Sequence, residues 1–93
     1  MTRDEEKGEK MTRFDLTILS VLYENEIDTA SKALSIGQIL SLIPIRHRKS
    51  YSTTYRHLNS ITQQNYVKYG LIDGLASTYF ISESGKSFCK AQV

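Results

Sequence analysis

At residue 66 the spacing of apolar side chains in this chain changes from a helical three-to-four to two, and near residue 82 it changes back. That order predicts helices interrupted by one short hairpin. The runs Tyr66–Ile72 and Leu75–Ile81 flank Asp73-Gly74. Asp-Gly suits a two-residue type I′ turn, which needs positive φ at both positions. Pairing about such a turn sets Val67 opposite Phe80, facing the helices, and Lys68 opposite Tyr79, with Lys68 on the other face. Ile72 and Leu75 then form an apolar pair beside a tip, residues 71–76, that carries one acid and no base.

Three helices are expected before the hairpin. Thr12 and Asp15 make a capping box, and Phe14, Ile18, Val21 and Leu22 follow on one face, so the first helix covers about 12–25. Ser35 and Gln38 make a second box ahead of Ile36, Ile39, Leu40 and Ile43, and Pro44 ends that helix. Leu34 just before it suits a one-residue strand. Ser50 caps a third helix that runs to about Gln64, with Asn65 at a position suited to left-handed backbone. Thr54, Leu58 and Ile61 form its inward stripe. The opposite face carries Ser52, Arg56, Asn59 and Gln63, flanked by Thr53 and Ser60, and contains no acid. After the hairpin, Ser82 caps a last helix with Glu83 in its first turn and Phe88 as its apolar anchor.

Net charge is only +2, but its distribution is uneven. Residues 29–72 hold six basic side chains (Lys32, Arg46, Arg48, Lys49, Arg56, Lys68) and no acid. One sign over the middle of a small domain suggests a surface facing a polyanion, against chance clustering on a solvated face. Residues 1–10 have the composition of a disordered charged tail, which leaves 11–93 as one domain. No apolar run is long enough to cross a bilayer, and the polar N-terminus is not a signal peptide, so an intracellular (cytoplasmic) protein is expected.

Helix, helix, helix with a polar outer face, hairpin, helix is the order of an α+β winged helix-turn-helix. The residues also resemble a family. Ser52-Thr53-Thr54-Tyr55-Arg56-His57-Leu58 is similar to the S-T-x-Y-R-x-L recognition-helix core of PadR-like and MarR-like regulators. Asn65-Tyr66-Val67 resembles their G-[YL]-[VI], with Asn for the usual glycine. Tyr79 to Lys86 resembles the Y-x-[LI]-[ST]-x-x-G-[KR] that closes the wing and opens the next helix. The resemblance spans roughly residues 12–90 and implies a transcriptional regulator that binds double-stranded DNA as a homodimer. Length and layout are also similar to those of small winged-helix proteins encoded by viruses of hyperthermophilic archaea, although seven Asn and Gln residues are not the depletion expected there.

A helix fits the major groove, its N-terminal half entering first. Ser50, Tyr51, Ser52, Thr53, Arg56 and Asn59 are therefore the candidate contacts. The Arg56 fork suits guanine and Asn59 suits adenine. Arg46, His47, Arg48 and Lys49 in the connector suit phosphates, as does Lys68 in the wing. Three alternatives stand beside these. Arg56 instead pairs with an acid of the first helix, Tyr51 packs beneath the second helix, and Tyr55 belongs to the core edge rather than the contact surface. A wing tip with one acid and no base argues against minor-groove reading there.

Cys89 is the single cysteine. It is either a small buried hydrophobe or, if the last helix lies on a two-fold axis, one half of an intersubunit disulfide. His47 and His57 lack a neighbouring Cys or acid in sequence, so no metal site is expected. Nothing suggests an enzyme, a cofactor, a membrane contact or a cavity for a small-molecule effector. A winged-helix protein–protein interaction module is the competing function.

Overall fold

Every α-helix among the described residues begins at a hydroxyl side chain that accepts from a backbone amide three residues on. Thr12 caps α1 (Arg13–Glu24), Ser35 caps α2 (Ile36–Leu42) and Ser50 caps α3 (Tyr51–Gln63). Ser82 does the same for α4 (Glu83–Ala91), its Oγ accepting from Gly85 N at 3.1 Å. Both expected capping boxes are formed, with Asp15 and Gln38 each accepting from the cap residue's own amide. Such a cap typically contributes about 1 kcal/mol. The computed structural model describes residues 11–71, 74 and 76–91, so the tail at 1–10 and the turn residues Ile72, Asp73 and Leu75 lie outside the described residues.

Helix ends follow from sequence too. After α3, Asn65 takes φ 69°, Asn65 N donates to Thr62 O and Tyr66 N to Ile61 O. This double bond is a Schellman ending with Asn in the left-handed place. The end of α1 repeats it with a less suitable residue: Glu26 has φ 59°, and Ile27 N donates to Leu22 O. Pro44 stops α2, and Ile43 before it is extended at ψ 132°. A 3-10 turn, Ile45–His47, then leads into α3.

The core lies where the helices and the hairpin meet. Ile18, Leu19 and Leu22 of α1, Ile39 of α2, Ile43, and Leu58 and Ile61 of α3 are completely buried. Burying each such side chain contributes about 1.5–3 kcal/mol. Val67, Tyr79 and Ile81 close this core from the hairpin side, and Cys89 closes it from α4. Cys89 is thus placed as a small hydrophobe, 7% exposed. A symmetric disulfide would need its thiol to turn out of the protomer's own core. Burial, with a smaller effect of the Glu24 charge, pushes that thiol's pKa up, which lowers its thiolate fraction. Phe88, expected as the main anchor of α4, is only partly buried and lies against Tyr66, with ring centroids 5.2 Å apart.

The hairpin departs from its expected register by one residue. In β1 (Val67–Tyr69) and β2 (Tyr79–Ile81), Val67 pairs with Ile81, Lys68 with Phe80 and Tyr69 with Tyr79. Phe80 therefore lies opposite Lys68 on the outer face, and Tyr79 and Ile81 face the core. A one-residue slip exchanges the faces of a strand. Long-range bonds on the other side of β2 decide between the two registers. Leu34 N donates to Tyr79 O at 3.0 Å, Tyr79 N to Leu34 O at 2.8 Å, and Ile81 N to Ile27 O at 2.8 Å. The single-residue strand expected at Leu34 is present as this bridge. Gly70 fits beside it, since a Cβ there would lie 2.2 Å from that of Ala33.

Candidate nucleic-acid interface

The outer face of α3 is polar as expected. Ser52, Arg56 and Gln63 are exposed, and Thr53, Asn59 and Ser60 are half-buried. Arg56 makes no ion pair with α1; its Nη2 donates to Thr53 Oγ1 at 3.2 Å. Thr53 Oγ1 in turn accepts from Ser50 Oγ at 3.0 Å. Ser50, Thr53 and Arg56 form a chain that holds the guanidinium over the first turn of α3.

The acid of α1 is taken by the next residue instead. His57 Nδ1 lies 2.7 Å from Asp15 Oδ1, and Asp15 is 2% exposed. The imidazole also stands edge-on to Phe14, with centroids 5.1 Å apart. His57 thus has an acid neighbour that sequence proximity did not reveal. Its signal was angular: His57 lies one residue before the inward Leu58, on the flank that turns toward α1. Among the described residues no group of three or more His, Cys, Asp and Glu could hold a metal.

The other flank of α3 holds a correction. Tyr55, expected at the core edge, is 48% exposed, and Tyr51 is 61% exposed rather than packed beneath α2. On this side α3 faces β1, a strand with only Val67 buried, so Tyr55 is only half covered. Tyr69 continues the surface; its ring is 5.4 Å from that of the buried Tyr79. The Tyr79 phenol has its pKa raised by burial first, and by Tyr69, Tyr55 and Tyr51 around it. Four of the chain's six tyrosines therefore gather between α3 and the wing.

The acid-free stretch does not act as a block. Lys32 pairs with Asp28 at 3.5 Å, beside Lys86, away from α3. Arg48 is exposed but tied back to the end of α2, with Nε donating to Ile43 O at 2.7 Å and Nη2 to Ser41 O at 3.2 Å. Its first task is to satisfy carbonyls that Pro44 leaves open. Arg46, His47 and Lys49 are exposed, and Lys49 Nζ stands 5.7 Å above the Phe14 ring. Lys68 is exposed on the outer face of the wing. Between the start of α1 and the connector lies a cleft of about 440 Å³, with His57 in its lining.

No protein-family model and no curated protein matches the chain. Three solved structures do. A DNA-binding TubR fragment from Clostridium botulinum superposes with a TM-score of 0.70 at 24% identity, over 90% of this chain and 99% of that one. TubR from Bacillus megaterium pBM400 gives 0.70 at 23% identity, covering 89% and 87%. MepR of S. aureus, in a complex with DNA, gives 0.71 at 15% identity; it matches 94% of this chain, which spans 64% of the MepR chain. Among the described residues, four α-helices and a two-stranded antiparallel hairpin in this order, with these structural neighbours, give the chain an α+β winged helix-turn-helix fold.

Proposed function

We propose that this chain is a sequence-specific, double-stranded DNA-binding transcriptional regulator that works as a homodimer and presents α3 to the major groove. The observation that carries this is the exposed, acid-free face of α3, with Arg56 held over its first turn by Thr53 and Ser50. A guanidinium fixed there can donate to guanine O6 and N7, while Ser52 and Asn59 lie on the same face. Arg46, His47 and Lys49 serve phosphates, with Arg48 bracing the connector. Lys68 supplies a weaker phosphate contact from the wing. A domain of this size gains stability from a partner copy, which also doubles the site. The reading involves no catalysis and needs no cofactor, and an intracellular location goes with it.

Selection of bound sequences from random duplex DNA tests the proposal. The expected result is an inverted repeat with half-sites about one helical turn apart, roughly 34–36 Å. Affinity is expected to fall steeply with salt, because phosphate contacts release counterions. Binding that ignores salt, or selection that enriches no sequence, overturns the reading. The exposed tyrosines favour one competitor, a protein-interaction module docking through Tyr51, Tyr55 and Tyr69. That reading predicts loss of partner binding on Tyr55→Ala and no selected DNA sequence.

A further inference from the structure

We propose that the cleft between the start of α1 and the connector is a phosphate site to which Arg13 contributes beside the connector cations. It takes the DNA backbone beside the half-site read by α3, with Arg13 as its unassigned cation. This rests on the DNA-binding reading above. Arg13, a cation outside the sequence-based candidates, lines the cleft together with Arg46 and Lys49. These cations come from two elements far apart in the chain and face one space of about 440 Å³.

Three observations point to an anion. First, no carboxylate is in the cleft's lining among the described residues. Asp15, next in sequence to the lining residue Phe14, is 2% exposed and engaged by His57 and by the Thr12 amide at 3.0 Å. Second, Lys49 is held at the rim by the Phe14 ring beneath it, so its charge is positioned before any ligand arrives. Third, α1 begins here, and the positive end of its dipole adds to the field.

The form of the cleft selects among anions. Arg13, Arg46 and Lys49 are all exposed, so the site is a basic trough rather than an apolar enclosure of the kind that buries a small ligand. A continuous backbone passing through fits such a trough. His57 joins it to α3, so a strand lying there runs beside the groove that α3 enters.

The test is the salt dependence of duplex affinity for the whole chain, comparing wild type with Arg13→Gln and with Lys32→Gln as control. Arg13 is exposed, and an unchanged thermal midpoint will verify that the variant folds. Arg13→Gln is expected to weaken all duplexes alike, roughly five- to tenfold at 0.1 M salt, and to lower the slope of log affinity against log salt by about one. Lys32→Gln should change neither. Unaltered affinity and slope in Arg13→Gln overturn the site while the DNA reading stands. Wild-type protein without salt-dependent binding overturns the DNA reading and the site with it. Saturable binding of inorganic pyrophosphate that Arg13→Gln abolishes without affecting the duplex assigns the cleft to a free phosphate ligand, and overturns the backbone assignment.

Discussion

The flank of α3 that faces α1 is pinned by a buried carboxylate, whereas the flank that faces the wing is an open surface of phenols. On the first, Asp15 closes the α1 capping box and holds His57 at 2.7 Å. On the second, Tyr51, Tyr55 and Tyr69 stand exposed and only Tyr79 beneath them is buried. One helix therefore carries a rigid edge and an adaptable one. Arg56 lies between them, on the outer face. The rigid edge orients that face, because rotation of α3 would break the bond between His57 and the buried Asp15 carboxylate. The tyrosine edge makes no such demand and leaves its side chains free for a partner.

The largest effect should come from breaking the pinned edge. Asp15→Ala removes the partner of His57 and half of a capping box, and should lower unfolding free energy by about 2–4 kcal/mol in a denaturant titration. A loss below about 1 kcal/mol would mean that this flank is not pinned. Next comes the residue between the flanks. Arg56→Ala should cost about 1–3 kcal/mol of DNA affinity and relax one base position, while Lys49→Ala should weaken all sequences alike. Both are read by titrating wild-type and variant sites. Tyr55→Ala tests the open edge: it should cost less than about 1 kcal/mol of stability, where a core aromatic would cost about 3–5. A value in the core range would return Tyr55 to the interior. Glu26→Gly, remote from both edges, should raise stability by about 0.5–1 kcal/mol, because glycine takes φ 59° without the penalty of a side chain. Thermal unfolding of the two proteins checks it.

What was legible in the sequence was local. Thr12, Ser35, Ser50 and Ser82 each announce a helix through a hydroxyl placed before an apolar stripe, and Asn65 announces an ending. The hairpin strands were visible for the same reason. Their register was not, because it is fixed by Leu34 and Ile27 bonding to β2, and no turn rule contains those residues. The pair of His57 with Asp15 joins positions 42 apart, so only the packing angle of α3 on α1 brings them together. The place of Tyr55 on the helix wheel borders the core, so spacing alone does not tell whether it is covered. Whether such a residue is covered depends on how far the neighbouring strand reaches. Arg48 stands in the sequence as one more connector cation, but its geometry gives its fork to backbone carbonyls first.

Ser82 has a consequence beyond capping. Its hydroxyl donates to Asn65 O at 2.6 Å and accepts from Gly85 N, so one side chain clasps the end of α3 to the start of α4. The fit leaves no slack: a Cβ on Gly85 would come within 2.3 Å of Tyr66 O. The α3–α4 junction is thus a welded elbow rather than a hinge. If a second copy attaches along α4, the tilt of one reading head toward the other is set at this elbow. On the proposed DNA-binding reading, the spacing of half-sites would then depend on the Ser82 bonds and the Gly85 fit, outside the α3 face.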